Sequence, residues 1–247
     1  MSVTPGAEPL PEFTADLERV LCVVAHPDDI EYGLSAAVHR WTAAGIDVSY
    51  FLLTRGEAGI ATMPPDEASA VREAEEIESA RIVGVTDVGF GTHPDGRIEY
   101  GPGLRRDIAR EIRRVRPDLV VGTTFDVTFP GGFVNQADHR AVGLATLDAV
   151  ADAGNRWIFP GLVEEGLEPW EGVRFIAITG SKEPTHVVDV SDHFEAAVAS
   201  LEAHAAYNAA LPETFPSPRE LLGDILGAGG QVAGVEYAVA LEVIDRR

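Results

Sequence analysis

The chain has 247 residues, 45% of them hydrophobic and 24% charged, so it is long enough to bury a sizeable core. Its formal net charge of −21 comes from 40 acidic and 19 basic residues, and such a surface would repel a nucleic-acid backbone or an anionic membrane. The single cysteine, Cys22, excludes an internal disulfide and a cysteine-based zinc site, and we expect its thiol to be buried and inert.

Strand-like and helix-like stretches alternate along the chain after residue 17. The first strand is the apolar run RVLCVVA, and the helix that follows in LSAAVHRWTAAG stops at Gly45. A second strand, DVSYFLLT, precedes a long helix that begins at Pro64 and Pro65 and ends at Gly84. The later predictions are a strand in DVGFG, a helix in GPGLRRDIAREIRRVRPD, a strand in LVVGTT, a helix in DHRAVGLATLDAVADAG, strands in VRFIAIT and HVVDVS, a helix in SDHFEAAVASLEAHAAYNAAL and a strand in EYAVALEVI. The stretch GAGGQVAGVEYA is predicted to be a flexible loop before that last strand.

This alternation predicts an α/β fold, a Rossmann-like, doubly wound domain with a mostly parallel sheet. Residues 1–17, which contain three prolines, are predicted to be an N-terminal lead-in, and residues 18–247 a single domain. The N-terminal residues are acidic where a secretory signal needs a basic start, and no apolar run approaches the roughly 20 residues of a membrane span. We therefore expect a cytoplasmic protein without a membrane span, and the sequence leaves homo-oligomerisation open.

Two polar clusters fall where parallel strands end. His26, Asp28 and Asp29 directly follow the first strand, and Asp138 and His139 open the helix after the fourth. Ligands bind at the carboxyl ends of the strands in such sheets, so both clusters are expected at one edge. Two histidines and one carboxylate suit catalytic zinc, which keeps a fourth position open for water. A dication would also offset the repulsion between the adjacent aspartates, although an Asp-Asp pair after a strand can simply cap a helix.

The motifs around these clusters resemble those of a known family. AHPDDIE resembles the N-terminal signature of the PIG-L/LmbE-type zinc-dependent N-deacetylases, and ADHRAVG resembles the second half of their His-x-Asp-His signature. The similarity continues through TRGEAG, VREAEEIESARIVGV, HPDGRI and DVSDHFEAAVASLEAH, and so covers residues 18 to about 205. The resemblance implies one Zn²⁺ per chain with His26, Asp29 and His139 as ligands, and Asp28 as the general base.

The same resemblance assigns further roles. It implies that Asp138 orients a neighbouring imidazole or supports the base, and that Glu57, Arg72 and Asp95 contact the substrate. Read without the resemblance, Glu57 would lie in a turn with solvated charges, Arg72 on an exposed, ion-paired helix face, and Asp95 in a tight turn.

The chain departs from the family pattern at position 136. Gln136 stands where the family usually has a histidine that stabilises the oxyanion or acts as an acid. Glutamine can donate a neutral N–H to an oxyanion but cannot carry a proton. Either Asp28 must then carry out every proton transfer, or another histidine takes the role of the missing one. The candidates are His93, His186 and His193.

The expected activity is hydrolytic removal of an N-acetyl group from an amino sugar or a sugar-containing small molecule. The expected partner is thus a small-molecule N-acylated amino sugar or glycoside, and no G-x-S-x-G motif supports a serine hydrolase instead. Two alternatives stay open from the sequence. One is a metal amidase acting on a thiol conjugate or peptide-like amide, and the other is a non-catalytic protein that binds a metal and a glycan.

Overall fold

A computed structural model describes residues 8–246, and its centre is a seven-stranded sheet with helices on both faces. The strands are β1 Arg19–Val24, β2 Asp47–Leu52, β3 Asp87–Phe90, β4 Leu119–Thr123, β5 Phe175–Thr179, β6 His186–Asp189 and β7 Ala238–Asp245. The helices are α1 Ser35–Ala43, α2 Pro65–Ile82, α3 Pro102–Val115, α4 Ala137–Gly154, α5 Gly161–Glu164, α6 Phe194–Glu202, α7 Ala205–Ala210 and α8 Pro218–Ala233.

The strand order reverses its direction between β1 and β4: β2 and β3 follow one another on one side of β1, and β4 and β5 on the other side. The order is β3-β2-β1-β4-β5-β7-β6, and the first five strands are parallel. Only β7 runs against its two neighbours, β5 and β6. The predicted doubly wound, mostly parallel α/β fold is confirmed. In this topology the crevice for a ligand opens between the carboxyl ends of β1 and β4.

Helices cover both faces of β1, which explains why its sequence is apolar without alternation. Val20, Cys22 and Val24 pack into the core on the side of α1, α6 and α8, whereas Leu21 and Val23 pack against α3 and α4. All five side chains are buried, and Cys22 is a free, buried thiol as expected. Each fully buried valine or leucine contributes about 1.5–3 kcal/mol to folding, so β1 is held firmly up to the residue before the first polar cluster.

The loop prediction for residues 227–238 was wrong over its first half, because α8 continues to Ala233. The helix starts with a capping box between Ser217 and Glu220 and has Pro218 in its first turn, which are strong start signals. Gly229 packs so closely on β7 that a Cβ there would collide with the carbonyl oxygen of Ala238. Gly229 therefore permits close packing of the helix on β7, and the glycines at 227, 229 and 230 are helical and do not mark a flexible loop.

The predicted helix over residues 191–211 is divided into a 3₁₀ turn, α6 and α7. The break falls at His204, whose side chain is fully buried. After the break, the Ala206 N–H donates to Glu75 Oε1 of α2 at 2.5 Å. This acceptor on α2 satisfies one of the backbone amides that have no partner at the start of α7. Because that amide is satisfied, the helix can be interrupted at His204.

The segment before β1 runs beside β6. Phe13 N–H donates to Val187 O, and Val187 N–H donates to Pro11 O. Residues 1–7 of the predicted lead-in lie outside the described residues, and the division into a lead-in and one domain stays a prediction. Among residues 8–246, no helix is both long enough and apolar enough to cross a membrane.

The side chain of Arg113 links α3 to α4, so its replacement tests how much this packing contributes to stability. Its guanidinium is buried and donates to five backbone carbonyls, those of Asp152, Ala153, Asn155, Ile158 and Leu167. Arg113→Ala should lower the free energy of unfolding in urea by about 2–4 kcal/mol, because it leaves buried carbonyls without donors. Arg106→Ala, at an exposed position of the same helix, should change it by less than about 0.5 kcal/mol. Equal effects of the two variants would contradict this role for Arg113.

Candidate metal centre

The two polar clusters predicted from the sequence meet at one edge of the sheet. His26 and Asp29 follow β1, and His139 lies in the first turn of α4, which follows β4. Because β1 and β4 are parallel neighbours, their carboxyl ends open into the same crevice. Side chains 113 residues apart in sequence therefore come into direct contact.

Three acceptor atoms converge in this crevice. His26 Nδ1 lies 3.3 Å from His139 Nε2, and His139 Nε2 lies 2.9 Å from Asp29 Oδ1. His26 Nδ1 is 3.6 Å from the other carboxylate oxygen, Asp29 Oδ2. That oxygen also accepts the N–H groups of Ala25 and His26, at 3.0 and 2.9 Å, which holds the carboxylate in place and leaves Oδ1 towards His139.

The orientation of His139 is set by Asn135, one helical turn earlier. The Asn135 amide nitrogen donates to the carbonyls of Thr124 and Asp126, so its oxygen must face the imidazole. His139 Nδ1–H donates to that oxygen at 3.0 Å. With its proton on Nδ1, His139 presents a lone pair on Nε2 to the crevice, which is the form that a metal ligand needs.

His26 is oriented in the same way by two carboxylates. Its Nε2–H faces Asp95 Oδ1 at 3.1 Å and Asp138 Oδ2 at 3.3 Å. Burial opposes the charged form, but hydrogen bonds to Asp138 and Asp29 outweigh it and raise the pKa of His26 well above its ordinary value. Burial also opposes the charge on Asp138, but the contact with His26 dominates and lowers the pKa of this carboxyl. The surrounding carboxylates thus favour a positive charge at the His26 imidazole.

The donor set fits a divalent cation. Two imidazole nitrogens and a carboxylate oxygen converge in this crevice, an arrangement that a divalent cation would stabilise in place of a proton on His26. Tetrahedral zinc with bonds of about 2.0–2.1 Å separates its ligand atoms by about 3.4 Å. His139 Nε2 lies 2.9 Å from Asp29 Oδ1 and 3.3 Å from His26 Nδ1, which is close to that value. Three protein ligands also leave one position for water, as in catalytic zinc sites.

Asp28, the residue before Asp29, has an unusual backbone conformation and a raised pKa. Its backbone has φ +88°, a conformation that residues other than glycine rarely adopt. Its Oδ2 pairs with the Arg72 guanidinium at 3.0 Å, and its N–H donates to Glu76 Oε2 at 3.2 Å. Burial raises the pKa of Asp28 and Arg72 lowers it, with the result that the pKa is about 7. A carboxyl with that pKa can accept and release a proton near neutral pH.

The three predicted substrate residues surround the centre in different ways. Arg72 is buried, with its guanidinium on Asp28 and on the carbonyl of Pro27, so it is not part of an exposed ion-paired face. Asp95 contacts His26 and accepts the Ala58 N–H, so its carboxylate is engaged within the protein. Glu57 is half-buried and accepts the Asp95 N–H through Oε1 at 2.8 Å, which ties its loop to the turn at residue 95.

Gln136 is the N-cap residue of α4, exposed to solvent, one turn before His139. The histidines named as substitutes for a catalytic histidine have partners elsewhere. His93 pairs with Asp107 of α3, His193 with His39 of α1, and His186 with its neighbour Thr185.

Sequence reasoning missed several residues of this site. Asn135 lies four residues before His139, directly before the N-cap residue of α4, and was not noticed. The contact of Asp95 with His26 was not foreseen, and its predicted contact with the substrate stays a prediction. A second buried cluster of Glu31, Glu76 and His204 was not foreseen at all. Glu76 is the one member of this cluster on α2, where it shares a buried face with Arg72 and Ser79.

Comparison with known proteins places the chain among deacetylases. A family model described as "PIG-L: GlcNAc-PI de-N-acetylase" matches residues 21–150. Diacetylchitobiose deacetylase of Thermococcus kodakarensis is 30% identical over 191 residues, which cover 76% of this chain and 70% of that protein. The 1D-myo-inositol 2-acetamido-2-deoxy-alpha-D-glucopyranoside deacetylase of Kineococcus radiotolerans is 30% identical over 254 residues, covering 76% of this chain and 68% of that protein.

A solved structure has the same fold. The N,N'-diacetylchitobiose deacetylase from Pyrococcus horikoshii, complexed with an inhibitor, superposes with a TM-score of 0.84 at 25% identity. The match covers 93% of this chain and 85% of that one.

Proposed function

The chain belongs to the PIG-L family and is an N-deacetylase, and because of this membership we propose that it hydrolyses the acetamide of an N-acetylglucosamine-containing small molecule, with a zinc ion held by His26, Asp29 and His139. The observation that carries the zinc assignment is the convergence of one ligand atom each from His26, Asp29 and His139, which all lie within 4.8 Å of one another and are each oriented by a second protein group. Two imidazoles and one carboxylate at tetrahedral spacing are a donor set that zinc accepts readily.

A zinc ion bound there would supply Lewis acidity, which polarises the amide carbonyl and lowers the pKa of water towards about 7. The proton transfers belong to Asp28. Its carboxylate accepts a proton from the attacking water as the C–O bond forms, and it returns that proton to the amide nitrogen as the C–N bond breaks. The products are acetate and a free amine. A pKa of about 7 makes both transfers feasible at one pH.

Other residues hold this arrangement or meet the substrate. Asp138 and Asp95 keep the His26 proton on Nε2, so that Nδ1 remains free to bind the metal. Gln136 supplies a neutral N–H donor towards the oxyanion from the start of α4. Of the three predicted substrate residues, Glu57 is the best candidate to contact the substrate, because the charged groups of Arg72 and Asp95 already pair with Asp28 and His26.

The relatives support the choice of substrate class by their names, which describe deacetylases of diacetylchitobiose and of an acetamido-glucopyranoside. The test is release of acetate and a new primary amine from N-acetylglucosamine, its β-linked disaccharide and an inositol glycoside. A panel of thiol-conjugate and peptide-like amides runs beside them. Cleavage of the second panel only would replace the amino-sugar proposal by the amidase alternative.

Removal of the metal gives a direct prediction. Dialysis against a chelator should lower acetate release by at least about a hundredfold, since the metal contributes several kcal/mol to the transition state. One equivalent of Zn²⁺ per chain should restore the rate, whereas Mg²⁺, which prefers oxygen ligands, should not. Full activity in a chain shown by elemental analysis to be metal-free would refute the mechanism.

A further inference from the structure

The inner face of α2 is polar where an apolar face is expected. Arg72, Glu76 and Ser79 lie on it at i, i+4 and i+7, and all three are buried. Burying charged side chains is costly, so such a stripe needs a structural or chemical reason. Its contacts converge on the turn that carries Asp28.

Two residues of this stripe hold the turn at three points. Glu76 Oε2 accepts the Asp28 N–H at 3.2 Å. The Arg72 guanidinium donates to Pro27 O at 2.5 Å and pairs with Asp28 Oδ2 at 3.0 Å. Arg72 therefore restrains the side chain of Asp28 and the preceding carbonyl, while Glu76 holds the backbone amide of Asp28 itself.

The backbone of Asp28 needs such support. A residue with a Cβ is strained at φ +88°, and the conformation persists only when contacts around it determine it. If the turn relaxed to negative φ, the direction of the Asp28 side chain would change. Asp29, the next residue, is already held by the amides of Ala25 and His26, so it would keep its place.

A second buried group lies behind Glu76, in contact with it at distances longer than a hydrogen bond. His204 Nε2 lies 3.7 Å from Glu76 Oε2 and 3.6 Å from Glu31 Oε2. Ser79 Oγ donates to Glu31 Oε1 at 2.6 Å. Because Glu31, Glu76 and His204 are fully buried, the carboxyl of Glu76 has little freedom to leave the Asp28 amide.

We infer that Glu76 is a positioning residue for the deacetylation, which acts by holding the Asp28 amide and thereby aiming the Asp28 carboxylate. This inference rests on the proposed role of Asp28 as the base. It requires an acceptor oxygen at position 76 and does not require a charge there. A rival account is that Glu31, Glu76 and His204 hold a second cation.

The test compares Glu76→Leu, which removes the acceptor, with Glu76→Gln, which keeps a carbonyl oxygen. Glu78→Leu makes the same change at an exposed position of the same helix and is the matched control. For each zinc-loaded variant, kcat and KM for acetate release, metal equivalents per chain and amide hydrogen exchange at Asp28 are measured.

Glu76→Leu should lower kcat by about tenfold to a hundredfold and leave KM and the single metal equivalent unchanged. Its Asp28 amide should exchange at least about tenfold faster. Glu76→Gln should stay within about threefold of the parent chain in both measurements, and Glu78→Leu should match the parent.

Several results would overturn the inference. Unchanged Asp28 exchange in folded Glu76→Leu would do so, as would loss of a second metal equivalent, which favours the rival account. If Glu76→Leu does not fold, a fall in kcat or protection beyond about tenfold in Glu76→Gln contradicts a role that needs only an acceptor. If the parent chain releases no acetate, the proposed function fails, while the exchange comparison still decides whether Glu76 holds the turn.

Discussion

His139→Ala should abolish zinc binding and acetate release together, with a fall in kcat/KM of about 10³-fold or more. The change removes one of three ligands and leaves Asn135 and Asp29 without the imidazole that they contact. A site with two ligands binds zinc weakly, and without the metal the several kcal/mol that it contributes are lost. Zinc per chain by elemental analysis and acetate release on the same preparation are the measurements.

The control for this variant is His39→Ala, which removes an imidazole on α1 that pairs with His193 away from the crevice. It should keep one zinc per chain and the parent rate. If His139→Ala retained a full equivalent of zinc, the proposed ligand set would be incorrect, because His139 could not then be essential to the site.

Asp28→Asn should keep the metal and lose turnover by about 10²–10⁴-fold. An amide cannot accept the proton of the attacking water, and general base catalysis is worth about this factor. The three proposed zinc ligands are untouched, so zinc per chain should equal that of the parent. The measurement is kcat with saturating substrate, and the elemental analysis distinguishes loss of the base from loss of the metal.

Asp66→Asn is the matched control, since it makes the same change at an exposed residue in the first turn of α2. Its rate should equal the parent rate. Turnover of Asp28→Asn near the parent rate would mean that another group removes the proton. The nearest alternative would then be one of the carboxylates beside His26, Asp95 or Asp138.

The buried acids explain how the centre can be ready for a cation before one binds. Burial opposes the charge on Asp29, but His139 and His26 outweigh it and hold its pKa well below the ordinary range. Asp95 and Asp138 favour positive charge on His26 from its other side. Metal binding replaces a proton at such a site, so little reorganisation of the protein is needed.

Most of the fold followed from the pattern of apolar residues. The strand and helix alternation from β1 to α4 was predicted to within a few residues, because β1, β2 and β4 are mostly apolar and almost fully buried and the helices between them end at glycine or before proline. The prediction failed at α8, where glycines serve close packing against β7, and at His204, where a buried contact interrupts the helix. Both features depend on neighbours that are distant in the sequence.

The sequence by itself determined the α/β fold class with its mostly parallel sheet, the two clusters of polar residues at the ends of β1 and β4, and the family whose motifs they match. Those are local properties, since apolar periodicity and short motifs involve residues close together in the chain. Only the tertiary structure decided that His26 is the imidazole beside Asp138 and that Asp95 contacts it too, that Arg72 and Glu76 contact the turn at Asp28, and that Asn135 contacts His139. The reason is physical: a carboxylate or guanidinium acts on whatever lies within a few ångströms, and the folded sheet brings together residues that lie up to 113 positions apart.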